Sequence, residues 1–356
     1  MSKVIANTIT KPKVAFCKIR NISENGVIST VKKAIELAGF NSLKSTKRVF
    51  VKVNLLSQEI MPGQCTSPWV FEGVLEYLRT YSNLELYYGD CNVATASQVE
   101  KAVINWGFKE IGEKYKATFT NLSRVKQKKV YMGPVLGYMQ VPAFLLNIDA
   151  IITVPVVKTH CIVPFTASLK NQWGLLPRAR FQYHDVVHEA IAEINRFFYK
   201  IVLGVADLTI AMEGPGPRVG IPKICDLIMT STDLVALDTL IALYIGLDPL
   251  KVGFIRYAEE IGVGKSNYTI VGDTFKQNPF KPGVGGDYLI YKWRDRFKKM
   301  PILKNIIFTV PIYRALGYFA TKYNLWVWYK KIGKKEAYEI CMNSDYGQEF
   351  TKLIFR

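Results

Sequence analysis

The chain has 356 residues, of which 49% are hydrophobic and 13% aromatic, a composition that excludes a disordered or fibrous protein. Its formal charge of +18 implies attraction to polyanions, whether nucleic acid, anionic lipid, or phosphorylated and carboxylated metabolites. Six cysteines (Cys17, Cys65, Cys91, Cys161, Cys225 and Cys341) form no CxxC or CxxxC pair, which argues against a disulfide framework and is expected of reduced thiols.

The amino terminus, MSKVIANTITKPK, lacks an apolar stretch of signal-peptide length, so the expected location is the cytoplasm. Lys13 to Ile19 predicts a strand. A helix follows over about 26–38, then a strand over 48–54 (RVFVKVN), a helix over 68–80, a strand over 84–90 (LELYYGD) and a helix over 96–106. The region 110–147 is mixed. Its uncharged stretch Val130 to Ile148 is about as long as a membrane span, but Gly133, Pro134, Gly137, Gln140, Pro142 and Asn147 make it a poor spanning helix. Next come the buried run DAIITVPVV (149–157), a helix near 185–199, and the runs IVLGVAD (201–207) and ICDLIMTSTD (224–233). A helix over 234–246 has Thr232 or Asp233 as N-cap and Gly246 at its end, and YTIVGD (268–273) closes the series as a strand.

This alternation is the signature of an α/β fold, a mainly parallel sheet flanked by helices in Rossmann-like layers, occupying residues 1–276. A Pro/Gly-containing linker (277–289: Pro279, Pro282, Gly283, Gly285, Gly286) leads to a basic, aromatic-rich helical extension, 290–356. That extension holds fourteen Lys and Arg against five Asp and Glu.

In open parallel sheets ligands bind outside the carboxyl ends of the strands. Five predicted strands end on a polar residue: Asn54, Asp90, Lys158, Asp207 and Asp233. Asp and Asn also begin turns and cap helices, and Asp233, directly before a strong helix, is expected to be such a cap.

All three histidines, His160, His184 and His188, fall within 29 residues. If 184–188 is helical, His184 and His188 share one face beside the apolar stripe of Val187, Ile191, Ile194 and Phe198. Two imidazoles at that spacing, with His160 as a third, could bind a divalent metal; acid/base work, anion binding and purely structural roles are the other readings. The zinc-hydrolase pattern HExxH is absent. Lys158 and His160 lie on one side of an extended chain, and Thr166, Ser168, Lys170, Asn171, Arg178 and Arg180 follow. Such cations with hydroxyl and amide groups are what recognition of phosphate or carboxylate requires. The turn EGPGPRVG (213–220) offers backbone N–H groups at Gly214 and Gly216 to an anion, although it lacks the P-loop Lys-Ser/Thr.

Several of these pieces form an ordered set: VKVNL (51–55), PGQCTSP (62–68), GD (89–90), VKTH (157–160), TASLKNQWG (166–174), Arg180 with His184, GVADL (204–208), GPGPRVG (214–220) and STDLVALD (231–238). Together, over about 48–272, they resemble the family called domain of unknown function 362. The resemblance implies no settled reaction. Many members of the family carry a ferredoxin-like module with CxxCxxC spacing and are labelled iron–sulfur proteins; this chain has no such motif, which removes that expectation. In layout it is also similar, by analogy alone, to the nickel-pincer lactate racemase family.

The leading reading is an enzyme acting at the strand ends on an anionic small molecule, phosphate- or carboxylate-bearing, with a lipid-linked one included. Lys158, Arg178 and Arg180 hold the anion; Asn54, Asp90, Ser168, Lys170, Asn171, Gly214 and Gly216 line the site. His160 and His184, with Lys158, serve in acid/base work or as metal ligands, and Asp207 is base, orienter or metal partner. The alternative is a non-catalytic, cofactor- or metal-binding redox-accessory protein. In the extension, Trp293, Phe297, Phe308, Phe319, Trp326 and Trp328 interleave with Lys and Arg, which suits a helix lying on the inner face of an anionic membrane. Packing of one side on the α/β domain, with the other a solvated basic face, is the first reading to weigh against it, and nucleic acid ranks last, since no recognised motif is present.

Overall fold

The computed structural model describes residues 11–22, 24–41, 43–93, 98–283, 315, 318–319, 322–347 and 350. Of the predicted linker and extension, 284–289 and 290–314, with Trp293, Phe297 and Phe308, lie outside the described residues.

The chain begins as β1 (Lys13–Lys18), α1 (Glu24–Leu37), β2 (Arg48–Val53), α2 (Pro68–Leu78), β3 (Glu85–Asp90), α3 (Val99–Asn105), α4 (Phe108–Lys114) and β4 (Ala117–Asn121). The antiparallel hairpin β5 (Gln127–Gly133) and β6 (Gly137–Pro142) follows, with the short α5 (Ala143–Leu146). Then come β7 (Ala150–Val154), β8 (Val156–Thr159), β9 (Phe165–Thr166), the short α6 (Ser168–Asn171), a 3-10 segment Arg178–Val186 and α7 (Val187–Phe197). β10 (Ile201–Glu213), β11 (Ile221–Ser231), α8 (Leu234–Tyr244), α9 (Gly253–Glu260) and β12 (Thr269–Gly272) complete the α/β body. A π-helical stretch Asn324–Gly333 runs into α10 (Lys334–Asn343).

The main sheet has the order β12-β1-β11-β10-β7-β2-β3-β4. The pairs β1–β12, β10–β7, β7–β2, β2–β3 and β3–β4 are parallel; β11 is antiparallel to both its neighbours. The sheet is therefore mainly parallel, as the alternation predicts. Period-two strands bury both faces. Val14 and Phe16 of β1 join one core with α7, α8 and α9, whereas Ala15 and Cys17 join the other with α1 and α2. Asp233 caps α8, accepting from Val235 N at 2.9 Å and Ala236 N at 3.0 Å, a contribution of about 1 kcal/mol.

Three expectations are corrected. The run 149–157 is two strands, because Pro155 has no N–H to continue the ladder. The run 201–207 continues to Glu213, so Asp207 lies within β10 and not at its end. Residues 184–188 are not one helix: His184 lies in the 3-10 segment and His188 in α7. The uncharged stretch 130–148 is the hairpin and α5, and no described helix is long and apolar enough to cross a membrane.

Candidate functional site

β2 and β3 deliver the first two groups. Lys52 follows the apolar run Val49–Val51 of β2 and is fully buried; its Nζ lies 3.0 Å from Asp90 Oδ1 at the end of β3. It also donates to Val53 O at 2.6 Å and Asn171 Oδ1 at 3.3 Å. Asp90 further accepts from Leu55 N at 3.0 Å and Cys91 N at 2.7 Å. Asn171, on α6, donates to Lys52 O at 3.2 Å and Thr153 Oγ1 at 2.9 Å, and receives Asn54 Nδ2 at 3.2 Å. Lys158 of β8 closes the circuit, donating to Asn54 Oδ1 at 2.6 Å and Gln64 O at 2.5 Å. One amide pair, Asn54 with Asn171, thus joins two lysines from different strands.

Two more cations complete the cluster. Lys170 of α6 has no hydrogen-bond acceptor among the described residues although it is only 8% exposed. Arg180 donates to Leu176 O and, at 3.3 Å, to Asn92 O. Burial lowers the Lys158 ammonium to about 7; Cys65 and Asp90 oppose that shift, and Lys170 and Lys52 add to it. Burial likewise lowers Lys170 to about 8, with Cys161 opposing and Arg180 adding. Lys52 is lowered by burial against the raising effect of Asp90.

The charge balance decides what such an arrangement can do. Lys52, Lys158, Lys170 and Arg180 are 0%, 2%, 8% and 6% exposed, and among the described residues the carboxylate that acts on Lys52 and Lys158 is that of Asp90. Holding uncompensated ions out of water costs several kcal/mol each, so the cluster either sheds protons or takes up an anion. Thr166 adds an uncommitted polar group: its Oγ1 is buried without a partner, and it stands directly opposite Lys158 across the β8–β9 pair, on the same face.

Of the residues read from sequence, Asn54, Asp90, Lys158, Lys170, Asn171 and Arg180 are brought together; others are engaged elsewhere. Asp207 accepts from Ser67 N at 2.7 Å, Thr209 N at 3.0 Å and Thr209 Oγ1 at 2.7 Å, holding the start of α2, and burial raises its carboxyl. Ser168 donates through N and Oγ to Asp238, at 2.8 and 2.5 Å. The N–H groups of Gly214 and Gly216 donate to Lys281 O and Gly214 O. Arg178 is half-buried at the start of the 3-10 segment.

The histidines have separate surroundings. His160 Nδ1 accepts from Ile162 N at 3.0 Å, so its proton belongs on Nε2. His184 Nδ1 donates to Phe181 O at 2.7 Å, and its ring packs on Trp173 at 5.4 Å. His188 accepts from Phe254 N at 3.1 Å and stacks on that ring; burial lowers its pKa. Among the described residues no group of three His, Cys, Asp or Glu is placed to hold a metal ion.

Sequence reasoning missed Lys52 and Gly174. The signal for Lys52 was a lone charge inside the apolar run VFVKV. Gly174 is needed for clearance, since a Cβ there would stand 2.4 Å from Asp90 Oδ1 and 2.8 Å from Lys52 Nζ. An open groove of about 850 Å³ lies elsewhere, lined by Ile60, Ile104, Tyr329, Tyr338 and Met342 among others, and shares no residue with the cluster.

A family model described as domain of unknown function 362 matches residues 49–242. A thylakoid-associated protein of Synechocystis sp. is 30% identical over 128 residues, covering 33% of this chain and 39% of that protein. The chain therefore spans about two fifths of that relative. Among solved structures, a Thermotoga maritima protein matches with a TM-score of 0.38 and 15% identity over 56% of this chain and 53% of its own. The lactate racemase apoprotein of Thermoanaerobacterium thermosaccharolyticum matches with a TM-score of 0.43 and 10% identity over 65% of this chain and 57% of its own.

Proposed function

This chain belongs to the family called domain of unknown function 362, and from that premise we propose that it is an enzyme whose site takes a small phosphate- or carboxylate-bearing molecule between Lys158, Lys170 and Arg180. The observation that carries this reading is the buried cationic excess, with Thr166 Oγ1 opposite Lys158 buried and without a partner among the described residues. An anion there would supply the missing acceptor and offset the desolvation that now depresses both lysines.

The roles divide by environment. Lys52 has three acceptors and is held by Asp90, so it shapes the floor of the site. Lys158, lowered to about 7, exchanges its proton most readily near neutrality and is the acid/base group of the proposed reaction. Asn54 and Gln64 O fix its direction by accepting two of its hydrogens. Lys170 and Arg180 bind the anion.

Calorimetric titration with sulfate and with oxalate tests the proposal. The intact chain is expected to bind at least one of them, and Lys170→Met and Lys158→Met are expected to weaken binding about tenfold or more each. If neither anion binds, or if both variants bind as the parent does, the proposal fails.

A further inference from the structure

The helical segment beyond residue 315 has two faces of opposite character. Trp328 packs with Met61, Met212 and Val219; Ala337 and Cys341 are also buried, and Tyr329 Oη donates to Ile60 O at 3.4 Å. Further on, Tyr346 stacks on Trp69 at 5.4 Å and Phe350 meets the same ring edge-on at 5.1 Å. These contacts fix which side faces the α/β body.

The other side is aromatic and basic. Phe319 is 66% exposed and Trp326 61%, against 6% for Trp328 two positions on. Tyr318 and Tyr323 are about half exposed, which gives a stripe of four exposed rings, Tyr318, Phe319, Tyr323 and Trp326. Lysines interleave with it: Lys330 Nζ stands 3.8 Å above the Trp326 ring and Lys322 Nζ 5.5 Å from that of Tyr318. Lys331, Lys334 and Lys335 are exposed, and residues 315–335 contain five Lys with no Asp, Glu or Arg.

We propose that this face docks the protein on an anionic bilayer surface, with the helix lying in the interfacial plane. Phe and Trp rings enter the headgroup boundary, and the ammonium groups lie against anionic headgroups. Within 315–335 every cation is Lys, which suits a diffuse headgroup field that needs only point charge, whereas planar bidentate phosphate recognition in nucleic acid draws on guanidinium groups. The anchored opposite face prevents the stripe from turning inward.

The test is co-sedimentation of the full chain with phosphatidylcholine vesicles made with and without phosphatidylserine. Binding is expected on the anionic vesicles, falling with added salt, and reduced about tenfold or more in Phe319→Ser/Trp326→Ser and in Lys330→Gln/Lys331→Gln. Both pairs are exposed, so unchanged circular dichroism and unchanged sulfate titration verify folding and separate this proposal from that of the anion site. Absence of binding to anionic vesicles, or variants that sediment like the parent, overturns it. So does a single-stranded oligonucleotide that binds where vesicles do not.

Discussion

Sulfate keeps its charge from about pH 6 to about pH 9, so any change in its affinity over that range reports the protein's own protons. Lys158 at about 7 and Lys170 at about 8 are both charged at the acid end of this window and mostly neutral at the alkaline end. At about pH 9 roughly 1% of Lys158 and roughly 10% of Lys170 remain protonated. An anion that requires both charges therefore loses about a thousandfold in affinity between these limits, or about 4 kcal/mol. The sign is fixed by which form binds: the ammonium does, so affinity falls as pH rises. Near neutrality the complex must also take up protons, which calorimetry in buffers of different ionisation enthalpy measures directly. Lys170→Met removes one of the two titrations and flattens the profile by about tenfold at the alkaline end. A parent affinity that is level over the window, with no proton uptake, refutes the assignment of these lysines to the anion.

Asp90→Asn leaves Lys52 buried without its carboxylate and is expected to cost about 3–5 kcal/mol in urea denaturation; a loss under about 1 kcal/mol contradicts the ion pair's role. Gly174→Ala drives a methyl group into Asp90 and Lys52 and is expected to cost about 1–3 kcal/mol, read as a lowered Tm; an unchanged Tm counts against that close approach. Burial raises the Asp238 carboxyl to about 7, so the folded chain keeps a proton that the unfolded chain releases near the ordinary value of 3.8. Stability from this group is full below about pH 4 and is lost as pH rises to about 7, by at most about 4 kcal/mol. Asp238→Asn should remove that slope, and an unaltered pH–stability curve would show that the residue does not titrate there.

Much of the fold was legible because buried strands alternate sides. Val14 to Cys17 and Val49 to Val53 carry apolar residues to both faces, and the boundaries of β2 and β3 fall within a residue of those predicted. The site was legible where polar residues stop an apolar run, as at Asn54, Asp90 and Lys158. The same rule failed for Asp207. Its carboxylate is polar for a tertiary reason, the N–H of Ser67 at the head of α2, and local sequence contains no trace of that partner. The histidines failed similarly: their closeness in sequence predicted a shared task, but the chain bends at Val186 and gives each ring its own neighbour. Lys52 was hidden by the opposite error, since a buried strand leaves no room for a charge unless Asp90 is known to meet it.

The motif TASLKNQWG gains a physical meaning from these contacts. Ser168 ties its helix to Asp238, Asn171 bridges Lys52 and Asn54, and Gly174 keeps clear of the ion pair. Thr166 and Lys170 are the polar side chains of the motif that these contacts leave uncommitted among the described residues.

The bonds that assemble this cluster are long in sequence. Lys158 reaches Asn54 across 104 positions, Lys52 reaches Asn171 across 119, Asp207 reaches Ser67 across 140, and Ser168 waits for Asp238 across 70. The first two can close only once α6 has been made and the last two only once β10 and α8 have followed, and pairings so distant are slow to form. Until then the lysines are ordinary solvated ammonium groups, protonated at neutral pH and therefore poor nucleophiles. Their lowered pKa and their shelter arrive together as the cluster closes, so a chain stalled before that point carries amines of different reactivity from the finished protein.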